Sequence, residues 1–564
     1  MAVEGNILRQ TQVVTTFGPG SLVDLPKQSV IIGGLDDWKM NGRRRIQEER
    51  LEAKLRVLLN VPALELYEPP AFDDDAAQNG GPPPRFIAAR VFPHWYVTQE
   101  PAADGGQFRR RRLVGEAALS RGEYRDPDDK RKKPVVPVRF VAACPKGHVE
   151  DVDWRVYIHH GVTECTRTLW LEERGTSGDV ADVVVGCDCG LERRLLDAVS
   201  VGTRALGGCA GKRPWLGPFA FETCNENRRL LIRTASNAYF PELISAISLP
   251  NEDAALKAAV DRWWTDLQKI VDPAMLRLVR GFHSQLDADL DGHGDGEVMS
   301  AITRRRDGTG APGDDALKPA EFDVMASGKA SFGKDVPDSN FFAETLDQAK
   351  WRKAREPLLA PIERVVVIRR LREVIAQTGF TRFDPLAPDE DGELEIGVER
   401  AALARSVSWL PAVEHRGEGV FIQFRTEDIQ HWRNLDAVRS REEALRTGFR
   451  LWKSDHSKSR REFPGVVYMM LHSLAHMLLT AIALEAGYAA SSLRERIYAS
   501  DQRYGILIYT ATSGSEGTLG GLVASAESIG RHLRRAVETA LLCSNDVIAH
   551  LPPLGVGSRG DFVT

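Results

Sequence analysis

Six of the seven cysteines of this 564-residue chain lie between Cys144 and Cys224. Within this segment, Cys187 and Cys189 form a Cys-Asp-Cys-Gly stretch, Cys209 opens a Cys-Ala-Gly-Lys stretch, and Cys224 follows after a short gap. Four thiolates in such an arrangement suit tetrahedral zinc, and structural sites with four cysteines are closed. The sequence therefore predicts a structural zinc ion bound by Cys187, Cys189, Cys209 and Cys224. The alternative is that these residues are buried thiols of an ordinary core.

Length and charge set the broad class of the protein. At about 100–200 residues per domain, the chain predicts three or four domains. The net charge of −5 argues against a surface that is basic throughout, and the scarcity of cysteine elsewhere argues against a disulfide framework. The N-terminus lacks a basic segment followed by an apolar run, and the apolar stretch 466–486 contains His472, His476 and Glu485. We therefore expect a cytoplasmic protein with a buried helix at 466–486 and no membrane contact.

Hydrophobic patterns predict a mixed fold, α+β or α/β, divided into several domains. Residues 341–378 are predicted to be helical, residues 505–509 to form a buried strand, and residues 464–487 to form a helix that ends at its glycine. The predicted domains are an N-terminal mixed α/β domain (1–135), a zinc-ribbon-like cysteine-rich region (136–250), a mainly helical domain with acidic loops (251–399) and a C-terminal α/β module (400–564).

Short basic blocks interrupt an otherwise near-neutral chain. Such blocks can form phosphate-contacting stripes on a protein of low net charge, although any one block alone is more often solvated loop charge. The residues that we predict to contact nucleic acid are Arg109, Arg110, Arg111, Arg112, Lys130, Arg131, Lys132, Lys133, Lys458, Arg460 and Arg461.

A glycine-rich loop joins the predicted strand at 505–509 to a helix that begins near residue 521. Backbone N–H groups at a helix N-terminus can bind phosphate, so the loop is a candidate phosphate site. It lacks the Gly-Lys-Ser/Thr of a Walker A loop, and the alternative is a tight turn that packs the helix on the strand. The candidate residues are Ser513, Gly514, Ser515, Gly517 and Thr518.

Two histidines on the predicted helix, His472 and His476, are four residues apart and so lie on one helix face. Zinc peptidases use this spacing with a glutamate directly after the first histidine, where this chain has Ser473. We therefore interpret both histidines as structural and predict no catalytic residues. The chain also lacks Walker motifs, which indicates a binding or scaffolding subunit and not a motor.

Several stretches together resemble the DrmB family, a core component of the DISARM antiphage system. Near the N-terminus they are Arg9-Gln10-Thr11-Gln12, Phe17 to Asp24 and Gly34 to Trp38; further on they are Phe140 to His148, Trp154 and Ala235 to Pro241. The C-terminal part is similar to the zinc-binding module at the end of MrfA-type DNA-repair helicases, through His472 to His476, Gly487-Tyr488, Ser492 to Tyr498 and residues 506–521.

The chain also departs from the resembled families. Members often carry Cys-x-x-Cys after a Phe-Pro-x-Trp stretch, whereas here the stretch at 92–95 leads to Val97 and Thr98. Members usually carry further cysteines beyond Cys543, so we expect no C-terminal cysteine site in this chain. The sequence leaves open whether Cys144 and His148 join a metal site.

The resemblance implies a partner and a role. DrmB proteins are expected to form a complex with DrmA, a large helicase-like ATPase that supplies the ATP chemistry, and to engage DNA during restriction of phage. Our prediction is a non-catalytic, DNA-binding accessory subunit, a heterodimer partner of that ATPase, whose cofactor is structural zinc. The alternatives are a metal-dependent nuclease and a protein–protein scaffold without DNA contact.

Overall fold

The computed structural model describes residues 8–540 of the chain with interruptions. The interruptions are residues 27, 71–84, 101–109, 127–129, 176–177, 200–203, 251–255, 257–258, 292, 307–316, 338, 353–356, 384–399, 456–461, 490–491, 501 and 511–519. Helices and strands alternate along this part of the chain without a repeat, and the expectation of a mixed, multidomain fold with cysteines clustered in its middle region is confirmed.

The strands are β1 Leu22–Leu25, β2 Gln28–Ile32, β3 Lys39–Met40, β4 Arg45–Ile46, β5 Glu65–Tyr67, β6 Arg85–Phe86, β7 Ala89–Val91, β8 Trp95–Thr98, β9 Arg111–Gly115, β10 Leu119–Ser120, β11 Glu123–Arg125, β12 Lys132–Pro137, β13 Phe140–Ala143, β14 Val149–Glu150, β15 Leu169–Glu173, β16 Val183–Cys187, β17 Glu192–Arg194, β18 Arg229–Ile232, β19 Phe240–Ile247, β20 Ser331–Gly333, β21 Phe341–Thr345, β22 Ile362–Thr381, β23 Trp409–Phe424, β24 Leu493–Tyr498 and β25 Gly505–Thr510.

The α-helices are α1 Gln10–Thr15, α2 Glu49–Leu59, α3 Trp154–Ile158, α4 Trp264–Leu267, α5 Pro273–Phe282, α6 Ser284–Asp289, α7 Asp295–Arg306, α8 Leu317–Ala326, α9 Gln348–Trp351, α10 Thr426–Arg433, α11 Asp436–Asp455, α12 Gly465–Ala486, α13 Gly521–Ser525 and α14 Ile529–Ala540.

The largest sheet is built around the long antiparallel pair β22–β23. Its path runs β20-β21-β22-β23-β25-β24, and β19 pairs with β22 while β5 pairs with β23 and β4. It draws strands from all four predicted segments of the chain. The helical prediction for 341–378 is wrong, because β21 and β22 occupy most of that stretch. The run Val365-Val366-Val367-Ile368 explains this, since β-branched side chains pack well on a pleated surface.

Each face of this sheet packs against helices. Val365 and Val367 of β22 join a core with Leu471 of α12, whereas Val366 and Ile368 point to the opposite face, which α8 covers. This alternation is the two-residue period of a strand buried on both sides.

Helix α12 is long and apolar enough to cross a membrane by length and composition, and 44% of its most apolar window is buried inside the fold. It packs against β24, β25 and α14, and the side chains of Leu471, Ala475 and Leu478 are completely buried. The helix ends at Gly487, whose φ of 73° is left-handed. The predicted helix with a glycine C-cap is therefore confirmed.

The face of β24 opposite α12 carries buried charges. Arg496 contacts Glu321 of α8 with a distance of 2.6 Å between Nε and Oε2, and Arg494 donates to Glu373 of β22 at 3.1 Å. Tyr509 of β25 donates a hydrogen bond to Glu373 at 2.9 Å. The network joins three strands and a helix within the core, where unpaired charges would be costly.

The cysteine-rich region 136–250 contributes strands to two sheets, and the larger sheet also contains β8 to β11 and most of β12 from the segment predicted as the N-terminal domain. One has eight strands in the order β10-β11-β12-β8-β9-β15-β16-β17, and the other has three in the order β14-β13-β18. Their shared core contains Phe140, Trp154 and Tyr157, each at most 2% exposed. The six cysteines lie at the ends of these strands and in the loops between them.

Candidate metal centres

The first candidate centre, cluster A, consists of Cys144, His148, Cys209 and Cys224, whose ligand atoms all lie within 4.8 Å of one another. Cys144 and His148 flank the turn between β13 and β14. The Cys144 N–H donates to the His148 carbonyl at 3.1 Å, and the Gly147 N–H donates to the Cys144 carbonyl at 3.0 Å. Gly147 has a φ of 87°, which L-residues other than glycine rarely adopt. The turn thus directs both side chains to one point.

The other half of cluster A comes from two antiparallel segments before β18. Cys209 donates its N–H to the Glu226 carbonyl at 2.8 Å, and Glu222 donates its N–H to the Gly211 carbonyl at 3.0 Å. These bonds hold Cys209 and Cys224 beside each other although fourteen residues separate them. The Gly211 N–H also lies 3.3 Å from the Cys209 sulfur, and such donors stabilise a thiolate.

Donor distances in cluster A match those around a tetrahedral zinc ion. The Cys144 sulfur lies 4.0 Å from the Cys224 sulfur and 3.3 Å from His148 Nδ1, and the Cys209 sulfur lies 3.6 Å from the same nitrogen. With zinc–sulfur bonds of about 2.3 Å and zinc–nitrogen bonds of about 2.0–2.1 Å, tetrahedral angles place donors roughly 3.5–3.8 Å apart. Cluster A can therefore hold zinc as a closed site with three cysteines and one histidine.

A carboxylate orients the histidine of cluster A. His148 is 2% exposed, and its Nε2 lies 2.7 Å from Glu222 Oε1 while its Nδ1 faces the sulfurs. Glu222 also pairs with Arg213 at 2.8 Å. A metal-binding histidine commonly donates its other ring N–H to a carboxylate, which fixes the ring and its tautomer.

The second candidate centre, cluster B, consists of His159, Cys165, Cys187 and Cys189. The Cys165 and Cys187 sulfurs are 3.6 Å apart, and the Cys189 sulfur lies 3.4 Å from His159 Nε2. His159 follows α3, and its Nδ1 lies 2.8 Å from the Arg155 carbonyl, so the ring can donate there and present Nε2 to the sulfurs. Cluster B repeats the donor set of cluster A, and a carbonyl takes the place of the carboxylate.

Within each cluster the surroundings favour ionisation of some thiols over others. A hydrogen bond from Cys144 lowers the pKa of Cys209 to about 4, and the same hydrogen bond together with burial raises the pKa of Cys144. In cluster B, the backbone hydrogen bond at Arg167 lowers the pKa of Cys165 to about 7, whereas burial raises the pKa of Cys187 to about 12. Because thiolates and not thiols bind metals, the lowered pKa values favour the metal-binding form of Cys209 in cluster A and of Cys165 in cluster B.

The structure corrects the predicted grouping of cysteines. Cys209 and Cys224 lie in cluster A, while Cys187 and Cys189 lie in cluster B, so the four do not surround one ion. The sequence left open whether Cys144 and His148 join a metal site, and the structure places both in cluster A; sequence reasoning missed His159 and Cys165 as ligands. The spacing of cysteines alone does not reveal which strands are neighbours.

The predicted DNA-contacting residues have different surroundings. Arg112 is 5% exposed and contacts Asp188 at 3.0 Å, and Lys133 is 2% exposed and contacts Asp126 at 2.7 Å. The phosphate contacts predicted for Arg112 and Lys133 are therefore wrong, since both side chains are buried in ion pairs.

Arg110 and Arg111 lie at the rim of the same sheet. Arg110 covers the ring of Trp170 at 4.1 Å, and Arg111 pairs with Glu173 at 3.0 Å. Lys130, Arg131 and Lys132 are exposed in the connection between β11 and β12 and at its end. The remaining predicted contacts, Arg109, Lys458, Arg460, Arg461 and the glycine loop with Ser513, Gly514, Ser515, Gly517 and Thr518, lie outside the described residues.

Replacing Gly211 with alanine should weaken cluster A without changing any ligand. Gly211 has a φ of 68°, and an added Cβ would lie 1.7 Å from the Glu222 carbonyl oxygen. We expect a loss of at least about 1–3 kcal/mol, because backbone and not a flexible side chain must move. Thermal unfolding and metal content would measure the effect. Gly122→Ala is the control, since Gly122 in the turn between β10 and β11 has a similar φ of 79° but open space for a Cβ, and an equal effect of both variants would contradict the clash.

Comparison with known proteins assigns relatives to both ends of the chain. A family model described as a domain of unknown function, DUF8724, matches residues 9–240, and a model described as the MrfA Zn-binding domain matches residues 474–546. The DISARM protein DrmB of Bacillus paralicheniformis is 29% identical over 445 residues, which cover 76% of this chain and 75% of that protein. The resemblance seen in the sequence is thus confirmed: the chain is similar to the DISARM protein DrmB over three quarters of its length and matches the MrfA Zn-binding domain near its C-terminus.

Proposed function

We propose that this protein is a non-catalytic accessory subunit of a DISARM-type antiphage defence complex, where it binds DNA and serves as a scaffold for the helicase-like ATPase DrmA. The observation that carries the proposal is the similarity to the DISARM protein DrmB, which extends over three quarters of both chains. A cytoplasmic location follows from this role, because a complex that restricts phage DNA acts where that DNA enters.

Zinc in clusters A and B is the structural cofactor of the proposed subunit. Each cluster offers four protein ligands, and a closed coordination sphere stabilises a fold without providing a position for substrate. Both clusters lie in the region that contains the small three-stranded sheet and one end of the eight-stranded sheet. Metal binding would therefore fix the relative positions of loops that contain little regular structure of their own.

Among the predicted DNA-contacting residues that the structure describes, Lys130, Arg131 and Lys132 are more exposed than Arg110 and Arg111. Lys132 contacts Glu123 at 2.9 Å, yet 65% of its side chain remains exposed, so a phosphate can compete for it. Exposed ion pairs of this kind contribute little to stability. Lys132 can therefore exchange Glu123 for a DNA phosphate with little loss of folding free energy.

DNA binding by the purified chain should be strongly salt-dependent and independent of ATP. If these three residues each neutralise one phosphate, raising salt from about 50 to 200 mM should weaken binding roughly 40-fold. Fluorescence anisotropy with labelled DNA, with and without ATP and magnesium, would measure this. The triple variant Lys130→Gln, Arg131→Gln, Lys132→Gln should reduce both affinity and salt slope, while Lys350→Gln, on the exposed surface of α9, should change neither.

An unchanged affinity of the triple variant would favour the alternative of a scaffold without DNA contact. Cleavage of the labelled DNA in the presence of divalent metal would favour the alternative of a nuclease. It would contradict the non-catalytic subunit proposed here.

A further inference from the structure

We propose that His472, His476 and Glu495 form a third metal site, cluster C, that binds Zn²⁺ or a similar divalent transition-metal ion and keeps one coordination position open. The inference goes beyond the defence role proposed above and does not depend on it. It reverses the interpretation of the two histidines as purely structural, because the structure adds a carboxylate that the sequence did not connect with them.

Cluster C lies where α12 packs against β24, at the edge of the large sheet. His472 and His476 are one helical turn apart on α12. Leu493 and Ile497 of β24 point into the core beneath the same helix, and Glu495, midway between them, shares their side of the strand. The helix and the strand thus bring together three donors that are distant in sequence.

The three donor atoms form a nearly equilateral triangle. His472 Nε2 and His476 Nε2 are 3.0 Å apart, and Glu495 Oε1 lies 3.1 Å from the first nitrogen and 3.3 Å from the second. Nitrogen and oxygen donors about 2.0–2.2 Å from a tetrahedral zinc ion are separated by roughly 3.3–3.5 Å. The triangle therefore has the size of one face of a zinc coordination tetrahedron, slightly contracted.

Hydrogen bonds alone satisfy this triangle poorly. Each imidazole nitrogen has a single in-plane direction, in which it either donates one proton or accepts one. If both nitrogens donate to the carboxylate oxygen, the two N–H groups converge on one atom with their nitrogens crowded to 3.0 Å; if one nitrogen is bare, its lone pair faces the carboxylate oxygen. A cation inside the triangle removes this conflict, because all three lone pairs then point to it.

The second carboxylate oxygen of Glu495 also indicates that a bound metal ion or water belongs at this site. Its second oxygen, Oε2, is buried and has no hydrogen-bond partner among the described residues. Buried carboxylate oxygens rarely lack a partner, and a metal-bound water or bidentate coordination would supply one.

Exposure distinguishes cluster C from clusters A and B. The side chains of His472 and His476 are 31% and 61% exposed, whereas that of Glu495 is 17% exposed. Two histidines and a glutamate are a donor set of zinc sites in which water or an external oxygen ligand takes the fourth position. Ser473 stands where zinc peptidases have their glutamate base, so the geometry assigns metal binding and no hydrolytic step.

The match to the MrfA Zn-binding domain includes His476 and Glu495 but only one cysteine, Cys543, which lies outside the described residues. Residues 474–546 therefore cannot form a site of several cysteines by themselves. Cluster C offers imidazole and carboxylate donors instead, which suit zinc and other late divalent transition metals.

Metal content of the purified full chain tests the proposal. The variant His472→Ala, His476→Ala should contain one zinc equivalent per chain less than the wild type by elemental analysis, and Glu495→Gln, which preserves side-chain shape, should lose the same equivalent. His431→Ala replaces an exposed histidine on α10 and should leave the zinc content unchanged. Circular dichroism would verify that all variants are folded.

Cobalt substitution separates cluster C from the cysteine clusters. Cobalt bound to thiolates absorbs intensely through sulfur-to-metal charge transfer, whereas cobalt bound only to nitrogen and oxygen shows weak visible bands. The double variant should lose weak bands and keep the charge-transfer absorption. Equal zinc content of wild type and both cluster C variants, with identical cobalt spectra, would overturn the proposal.

Discussion

Replacing Cys209 with serine should release the metal from cluster A and unfold the segment that connects it to β18. Cys209 is the thiol with the pKa lowered to about 4, and it joins the loop at 208–227 to the β13–β14 turn. Structural zinc contributes about 10–16 kcal/mol to the folding of small finger peptides, a magnitude similar to the entire stability of a domain. Loss of one zinc ligand should therefore be enough to unfold this segment.

Elemental analysis and limited proteolysis would measure the outcome of Cys209→Ser. We expect one metal equivalent to be lost and new cleavage between β17 and β18, while the large sheet stays protected. Thr447→Ser, a small change that keeps the hydroxyl on the exposed surface of α11, is the control and should alter neither metal content nor proteolysis. A Cys209→Ser protein with full metal content and unchanged proteolysis would exclude cluster A as a metal centre.

Replacing Glu373 with glutamine should destabilise the large sheet by about 3–5 kcal/mol near neutral pH, as expected when one partner is removed from a buried ion pair. Burial alone would raise the pKa of Glu373, but the neighbouring His415, whose Nδ1 lies 3.9 Å from the carboxylate, and the charges of Arg496 and Arg494 lower it to about 2, from an ordinary value of 4.5. The variant leaves Arg496 with less compensation in a site where it is 8% exposed.

The effect of Glu373→Gln should depend on pH in a defined direction. Because the folded-state pKa is below the unfolded value, ionised Glu373 stabilises the fold fully above pH 4.5, and this contribution is lost as the pH falls towards about 2. Urea unfolding at several pH values should show the difference between wild type and variant shrinking across that interval. Glu427→Gln, on the exposed surface of α10, should show little difference at any pH, and a pH-independent deficit of Glu373→Gln would contradict this electrostatic account.

The sequence predicted correctly those helices and strands whose bounds are set by neighbouring residues along the chain. The helix that became α12 was predictable because its apolar run and Gly487 determine its length and its end. The prediction extended one helix over 341–378 and gave no weight to the β-branched run Val365-Val366-Val367-Ile368 inside it. In the structure, β22 is buried on both faces, so its apolar residues are continuous and do not alternate with polar ones.

The sequence identified cysteines as candidate metal ligands, but it did not show which of them share one metal ion. The pairing of β13 with β18 brings Cys144 towards the segment of Cys209 and Cys224, and the register of β15 with β16 places Leu169 opposite Cys187. Neither pairing can be inferred from cysteine spacing. Cluster C shows the same limit, because Glu495 reaches the two histidines only through the packing of a strand on a helix.

The pairing of β5 with β23 has a consequence for biosynthesis. Glu65 and Trp409 are opposite each other in this parallel pair, so a strand made early must wait for one made more than three hundred residues later. At about 5–20 residues per second, the ribosome needs tens of seconds to supply the partner. During that interval, the early strand and the amphipathic helix α2, whose Leu51 and Leu55 are buried in the finished fold, lack their final neighbours, and chaperones that shield nascent chains would find a binding site there.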